Sequence, residues 1–180
     1  MPNDLKSIAI SINIPNNITN IGKNAFKDCV SLEEIVIPEN VTTISDSAFE
    51  GCKALKNVNI LSKCVKYIRS CAFKDCISLK NIILPNSIIN IYEGAFEGCE
   101  SLEEIRLPDN LNRISTCMFK NCKALKEIII PQKVVYIDLA AFEECKNLVN
   151  VQIPNGVTVI ESAAFKECTK LKQIEVPDSI

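Results

Sequence analysis

The sequence predicts an α/β repeat solenoid with seven units of about 23 residues, a parallel β-sheet face, short helical or 3-10 turns and a second extended segment. Three observations lead to this fold class. The seven Phe residues recur at almost constant spacing, a Cys and a Leu follow each of them at fixed distances, and each unit contains an alternating apolar stretch. A fixed period of roughly 20–50 residues is the sequence signature of a repeat protein.

The Phe residues define the repeat. Their spacings are 23, 24, 23, 23, 23 and 23 residues. The extra residue lies between Ile60 and Val65, where Leu61 also replaces the proline of the other units, and each Phe follows an Ala except at Met118. The series is Phe26, Phe49, Phe73, Phe96, Phe119, Phe142 and Phe165, followed three positions later by Cys29, Cys52, Cys76, Cys99, Cys122, Cys145 and Cys168.

Each element of the unit has its own pattern. The L-x-x-I-x-I stretch alternates, which is typical of a strand with one buried face, and the Pro that follows ends the strand because it cannot donate to a ladder. The V-x-x-I pair predicts a second extended segment. The A-F-x-x-C-x-x-L stretch has apolar residues three apart and predicts one helical or 3-10 turn. One unit cannot bury its apolar face alone, so the units must stack, with strands about 4.8 Å apart.

The residue after each Phe alternates in charge without exception. On stacked turns, this order places every charge beside charges of opposite sign, and a shift by one unit would stack like charges. The series therefore predicts a ladder of ion pairs that guards the register. Its members are Lys27, Glu50, Lys74, Glu97, Lys120, Glu143 and Lys166.

We expect a single domain over residues 1–180, with an N-terminal capping strand at 1–14, seven repeats at 15–176 and the start of an eighth unit at 177–180. This end is expected to expose apolar residues such as Leu171 and Val176. Either the chain is a truncated piece, or this end meets a partner. Self-association through the C-terminal end is therefore a hypothesis.

These motifs resemble leucine-rich repeats of the BspA type. The resemblance rests on the 23-residue period and on P-x-x-[VIL]-x-x-I, A-F-x-x-C and L-x-x-I-x-[IL]-P, and it covers roughly Pro15 to Ile180. Members of this family look like adhesion or protein-binding modules in bacterial surface proteins and in large protist families. The resemblance thus implies a leucine-rich repeat fold and a protein-binding function, with the partner left open.

Composition argues against several other functions. The chain has no His, which removes the commonest general base and metal ligand, and it has 5 Gly and no Gly-rich phosphate loop. A net charge of −2 provides no strong field toward nucleic acid or anionic membrane, and no apolar run approaches the roughly 18 residues of a membrane span. We expect no enzyme, no catalytic or metal-binding residues, no cofactor, no nucleic-acid partner and no membrane insertion.

The ten Cys fall into two groups. The seven in the repeat are predicted to be buried and inert, whereas Cys64, Cys71 and Cys117 lie outside it and remain open to reactivity. Ten thiols without a signal-peptide pattern favour a cytoplasmic, reducing location. A cell-surface location is the alternative if a signal segment was removed.

Two surfaces are candidates for protein binding. The outward-facing residues of the first strand in each unit are acidic, amide and aliphatic side chains with a single basic one. This mixture favours a protein partner. The second choice uses the three Tyr, because exposed Tyr and Arg are typical interface anchors. The strand face comprises Glu34, Val36, Asn59, Ile83, Glu104, Arg106, Glu127, Ile129 and Gln152. The tyrosine edge comprises Tyr67, Arg69, Ile89, Tyr92, Val135 and Tyr136.

The sequence therefore favours a non-catalytic protein–protein interaction module, an intracellular adaptor or scaffold that binds a protein partner on the solenoid surface. Two alternatives stay open. One is a fragment of a cell-surface adhesin that binds host or matrix protein, and the other is a self-assembling structural rod.

Overall fold

The computed structural model describes residues 11–176, which form a solenoid of stacked units with two short strands in most units. The strands are β1 (Ser11–Ile12), β2 (Asn20–Ile21), β3 (Glu34–Ile37), β4 (Thr43–Ile44), β5 (Asn57–Ile60), β6 (Tyr67–Ile68), β7 (Asn81–Ile82), β8 (Asn90–Ile91), β9 (Arg113–Ile114), β10 (Glu127–Ile129), β11 (Tyr136–Ile137), β12 (Asn150–Gln152) and β13 (Val159–Ile160).

The strands form two parallel ladders, as the alternating patterns predict. The first ladder contains the sheets β1-β3-β5-β7 and β10-β12, and the second contains β2-β4-β6-β8 and β9-β11-β13. Paired residues lie one unit apart; Ser11 pairs with Glu34 and Glu34 pairs with Asn57. β1 therefore extends the first ladder by one unit. Residues 1–10 of the expected capping strand and the expected eighth unit at 177–180 lie outside the described residues.

A stack of parallel Phe rings forms the centre of the core. Neighbouring ring centroids are 5.2–5.7 Å apart, and the ring planes differ by 3–14°. Five of the rings are fully buried, whereas Phe26 and Phe165 in the terminal units are partly exposed. The repeat of seven Phe thus corresponds to seven stacked turns.

The turn around each Phe differs from the helical or 3-10 turn that the spacing predicts. The residues two before and two after each Phe have positive φ, between 53° and 72°, and a left-handed residue interrupts a right-handed helix. The i→i+3 bonds of a 3-10 turn are present, as from Lys27 N to Asn24 O (3.2 Å). Alternate N–H groups instead bond to the next unit, as from Phe26 N to Ala48 O (2.8 Å). The segment is a series of turns, and no residue in 11–176 is helical.

The recurring Cys has a specific role in this packing. Its thiol donates a hydrogen bond to the Phe carbonyl of the preceding unit, as from Cys52 Sγ to Phe26 O (3.1 Å) and from Cys99 Sγ to Phe73 O (3.2 Å). Burial raises the pKa of the Cys99 and Cys122 thiols well above the usual range of a cysteine. In the last unit, burial raises the pKa of Cys168 to about 11. The ladder is therefore composed of neutral thiols that hold neighbouring units together.

The alternating charges form ion pairs at four of the six steps of the predicted ladder, and no pair joins Glu50 to Lys74 or Glu97 to Lys120. Lys27 pairs with Glu50 at 2.9 Å and Lys74 pairs with Glu97 at 3.0 Å. Glu143 lies between two partners, Lys120 at 2.7 Å and Lys166 at 3.2 Å. Such partly exposed pairs contribute little to stability, so their value lies in the register that they favour.

Both ladders are interrupted near the unit that contains Met118. In the second ladder, a backbone N–H after most strands donates to a carbonyl of the preceding unit. Examples are Tyr92 N to Ile68 O and Asp138 N to Ile114 O, both at 2.9 Å. At the step between them, the Ser115 hydroxyl donates to Ile91 O (2.6 Å), and β8 does not pair with β9. The widest ring spacing, 5.7 Å between Phe96 and Phe119, falls at the same step. Met118, which is larger than the Ala of the other units and fully buried, lies at this step.

The inserted residue at 60–66, by contrast, leaves both ladders intact. β5 pairs with β7 and β4 pairs with β6 on either side of it. The hydroxyl of buried Ser62 donates to Val41 O (2.7 Å) and accepts from Cys64 N (3.0 Å). These two bonds satisfy the polar groups of the longer loop, so the stack accommodates the insertion.

Candidate functional site

All nine residues of the strand face are exposed. The first ladder places those at the tenth position after each Phe side by side, as the pairs Val36–Asn59, Ile83–Arg106 and Ile129–Gln152 show. Exposed apolar area is concentrated at Ile83 (85% exposed) and Ile129 (63%), compared with 45% at Val36. The geometry thus narrows the strand face to a centre around Ile83, Arg106 and Ile129, here called the central triad.

The central triad lies in an open groove of about 1060 Å³. Glu104, Glu127 and Asp109 line the same groove. It coincides with the interruption of the first ladder, because the strand pairing beyond β7 is reduced to the Ile83–Arg106 bridge and the following sheet begins at β10. The groove therefore lies where the regular strand pairing stops.

Three of the four charged side chains of the groove form no ion pair with their described neighbours, whereas Asp109 accepts a hydrogen bond from Asn86 Nδ2 (3.0 Å). None of the ten ion pairs formed within residues 11–176 includes Glu104, Arg106 or Glu127. Elsewhere on the solenoid, ion pairs join neighbouring units, as between Lys126 Nζ and Glu103 Oε2 at 2.8 Å. The groove thus combines two exposed aliphatic side chains with one cation and three carboxylates.

The tyrosine edge is largely engaged in contacts within the chain. The Arg69 guanidinium lies 4.6 Å from the centroid of the Tyr92 ring, and Arg113 lies 4.7 Å from that of Tyr136. Tyr67, Arg69, Tyr92 and Val135 are half-buried, whereas Ile89 and Tyr136 are about 40% exposed. Each of these Arg side chains covers a Tyr of the next unit, which leaves less aromatic surface for a partner.

Sequence reasoning missed Arg113 and Asp138 at this edge. Arg113 Nη1 donates to Asp138 Oδ2 at 3.2 Å, and both residues line a cleft of about 380 Å³ where the second ladder is open. Burial raises the pKa of Asp138, and the nearby Arg113 opposes that shift. The sequence does contain a signal for these contacts, since Arg69–Tyr92 and Arg113–Tyr136 share the 23-residue offset of the repeat.

The three Cys outside the repeat differ in exposure. Cys64 is exposed, whereas Cys71 and Cys117 are half-buried. Burial is the main cause that raises the pKa of Cys71 and Cys117; nearby carboxylates add to this shift, and Lys74 and Lys120 oppose it without reversing it. The net shift disfavours the reactive thiolate at both positions.

The described part of the chain, residues 11–176, contains no group of three or more His, Cys, Asp or Glu side chains that is placed to hold a metal ion. It also contains no helix long and apolar enough to cross a membrane.

Comparison with known families gives one match over nearly the whole chain. The profile of the BspA type leucine rich repeat region (6 copies) matches residues 5–124 and 66–180. A search of the curated proteins found no match.

Solved structures show the same architecture. A leucine-rich repeat protein from Bacteroides ovatus is 37% identical with a TM-score of 0.87, over 94% of this chain and 43% of its own. A Treponema pallidum leucine rich repeat protein, TpLRR, is 30% identical with a TM-score of 0.81, over 92% of this chain and 78% of its own. The pneumococcal vaccine antigen PcpA shares the fold at 18% identity and a TM-score of 0.59, over 81% of this chain and 42% of its own. The chain therefore spans less than half of the Bacteroides ovatus protein.

Proposed function

The chain belongs to the BspA-type leucine-rich repeat family, and from this membership we propose that it is a non-catalytic protein–protein interaction module that binds its partner on the strand face. Leucine-rich repeat proteins are typically interaction modules. The proposal concerns the described solenoid, whatever further domains accompany it.

The exposure of the central triad is the observation that carries the proposal. Ile83 and Ile129 expose 85% and 63% of their surface on either side of Arg106, and they are the two most exposed large hydrophobic residues within residues 11–176. An apolar patch rimmed by polar residues is typical of a protein-binding surface, and Arg is among the residues enriched there. The strand face is therefore the first choice, and the tyrosine edge stays the second.

An adaptor or scaffold in a reducing compartment is the form of this function that we favour. Cys thiols of the core donate to Phe carbonyls, and a disulfide would remove these donors. Thiols persist in reducing compartments, whereas disulfides form in oxidising ones. The alternative is a surface adhesin that keeps these thiols shielded by burial.

Affinity capture from lysate of the source cells tests the proposed surface. We expect the wild-type chain to retain a protein and the double substitution Ile83→Glu with Ile129→Glu to lose it, because two charges would be buried against the partner. Val149→Glu is the matched control, since Val149 is 53% exposed but lies outside the groove.

Equal capture by the wild-type chain and the double variant would exclude the strand face as the binding surface. Circular dichroism of all three chains establishes that the substituted residues, which are exposed, leave the solenoid folded.

A further inference from the structure

We propose that the groove of the central triad takes an amphipathic α-helix of a partner protein, which lies along the solenoid axis with one helical turn on each unit. This inference rests on the proposed function and specifies the partner. The helix would place apolar side chains on Ile83 and Ile129 and a carboxylate on Arg106 between them.

The spacing of the units favours a helix. Ile83, Arg106 and Ile129 each follow their Phe by ten residues, and those Phe rings are 5.6 and 5.7 Å apart. Strands in a regular ladder are about 4.8 Å apart. One helical turn rises about 5.4 Å, which falls between these values. Side chains at i, i+4 and i+7 therefore meet three successive units with an accumulated offset below about 1 Å.

An extended peptide along the same line fits less well. Its side chains on one face recur about every 6.6–6.8 Å, which exceeds the ring spacing by roughly 1 Å per unit. Over the two steps from Ile83 to Ile129, the last side chain would be displaced by about 2 Å. A strand added to the edge of a sheet is a different mode. The first ladder is interrupted at the groove, but units are stacked on both sides of the central triad, so there is no terminal unit for such a strand to extend.

The charges of the groove specify the sequence of the helix. Arg106 is exposed between the two Ile residues, and the ion pairs formed within residues 11–176 do not include it. A Glu or Asp one turn after the first apolar residue of the helix would bind its guanidinium. Glu104 and Glu127 flank the same line, so Lys or Arg is expected along that side of the helix.

A designed peptide tests this arrangement directly. An Ala-rich helix of about 20 residues carries two Leu spaced i, i+7, a Glu at i+4 and Lys along one flank. A second peptide has the same sequence except for a Pro at its centre, which prevents helix formation. Fluorescence anisotropy measures binding to the full chain, and amide chemical shifts map the binding surface.

We expect the helical peptide to bind at least about tenfold more tightly than the Pro peptide, with shifts confined to residues 81–84, 104–107 and 127–131. Ile83→Glu is expected to weaken binding about tenfold, and Val149→Glu to leave it unchanged. Arg106→Glu should weaken binding of the peptide that carries Glu at i+4 and strengthen binding of a peptide with Lys at that position.

Equal binding of both peptides, absence of binding, or failure of the Arg106→Glu charge swap would overturn the helix assignment. The outcome is separable from that of the proposed function. If capture from lysate still depends on Ile83 and Ile129, the strand face remains the binding surface and only the helical partner is excluded.

Discussion

Raising the pH above 9 is expected to destabilise this protein far more than an ordinary domain of its size. Burial raises the pKa of five thiols in successive units, Cys76, Cys99, Cys122, Cys145 and Cys168. A group whose pKa is higher in the folded state stabilises fully below its unfolded pKa, here 9.0, and that stabilisation is lost as the pH rises toward the folded value.

The magnitude follows from linkage. Each thiol whose folded pKa lies far above its unfolded value lowers the free energy of unfolding by about 1.4 kcal/mol between pH 8 and pH 10. Five such thiols together would remove up to about 7 kcal/mol over this range, which is comparable to the whole stability of a typical domain, about 5–15 kcal/mol. For Cys168 the loss ends at about pH 11, where the folded thiol also ionises.

Urea unfolding at pH 8, 9 and 10 under reducing conditions measures this effect. Cys99→Ala with Cys122→Ala should lower stability at pH 8, because two hydrogen bonds to Phe carbonyls are lost, yet flatten the dependence on pH. Cys64→Ala is the control, since Cys64 is exposed and its removal should leave the slope unchanged. The same dependence of unfolding free energy on pH in the wild-type chain, the double variant and the Cys64→Ala variant would contradict the account.

Phe96→Ala is expected to be the most damaging single truncation, at about 3–5 kcal/mol. Phe96 is fully buried and stacks on Phe73 at 5.6 Å and on Phe119 at 5.7 Å. Its loss leaves a cavity in the middle of the ring stack and removes both contacts. Because each unit of a solenoid contacts only its neighbours, the cavity should also separate the two halves into units that unfold independently.

Phe26→Ala provides the matched comparison. Phe26 is half-buried in the first described unit and stacks on one ring, Phe49 at 5.2 Å. We expect a smaller loss of stability and a single urea transition for this variant. An equal cost at both positions would mean that the ring stack does not form the continuous core.

The period of the repeat predicted the stack, both ladders and the alternating ion pairs, because each depends only on residues that recur. It did not predict the turn. At the second position after Phe, Asp28, Gly51 and Asn121 favour positive φ by themselves, and this signal was available. At the second position before Phe, Cys71 and Ala140 have no such preference.

Hydrogen bonds to the next unit impose the conformation at these positions. Cys71 N donates to Glu93 O at 2.9 Å, and Ala140 N donates to Ser162 O at 3.1 Å. Gly51 has a further reason, because a Cβ there would clash with Asp28 of the preceding unit. The conformation of the turn therefore depends on contacts between stacked units, and the sequence of one unit does not predict it.

The outward residues of the strand face were predictable from alternation, whereas the groove was not. The sequence directs attention to the inserted residue near Leu61, but Ser62 satisfies that loop and the ladders continue. The interruption instead accompanies Met118, a single substitution for Ala within an otherwise regular unit. Its consequence depends on packing volume between units, which composition alone does not reveal.

Site-specific photo-crosslinking tests the central claim, that the partner binds on the strand face, most directly. A photoreactive amino acid replaces Ile83 in one chain and Tyr92 of the tyrosine edge in another, and both chains are irradiated in lysate of the source cells. The account predicts a covalent protein adduct at position 83 and none at position 92. An adduct at position 92 with none at position 83 would contradict it and assign binding to the tyrosine edge.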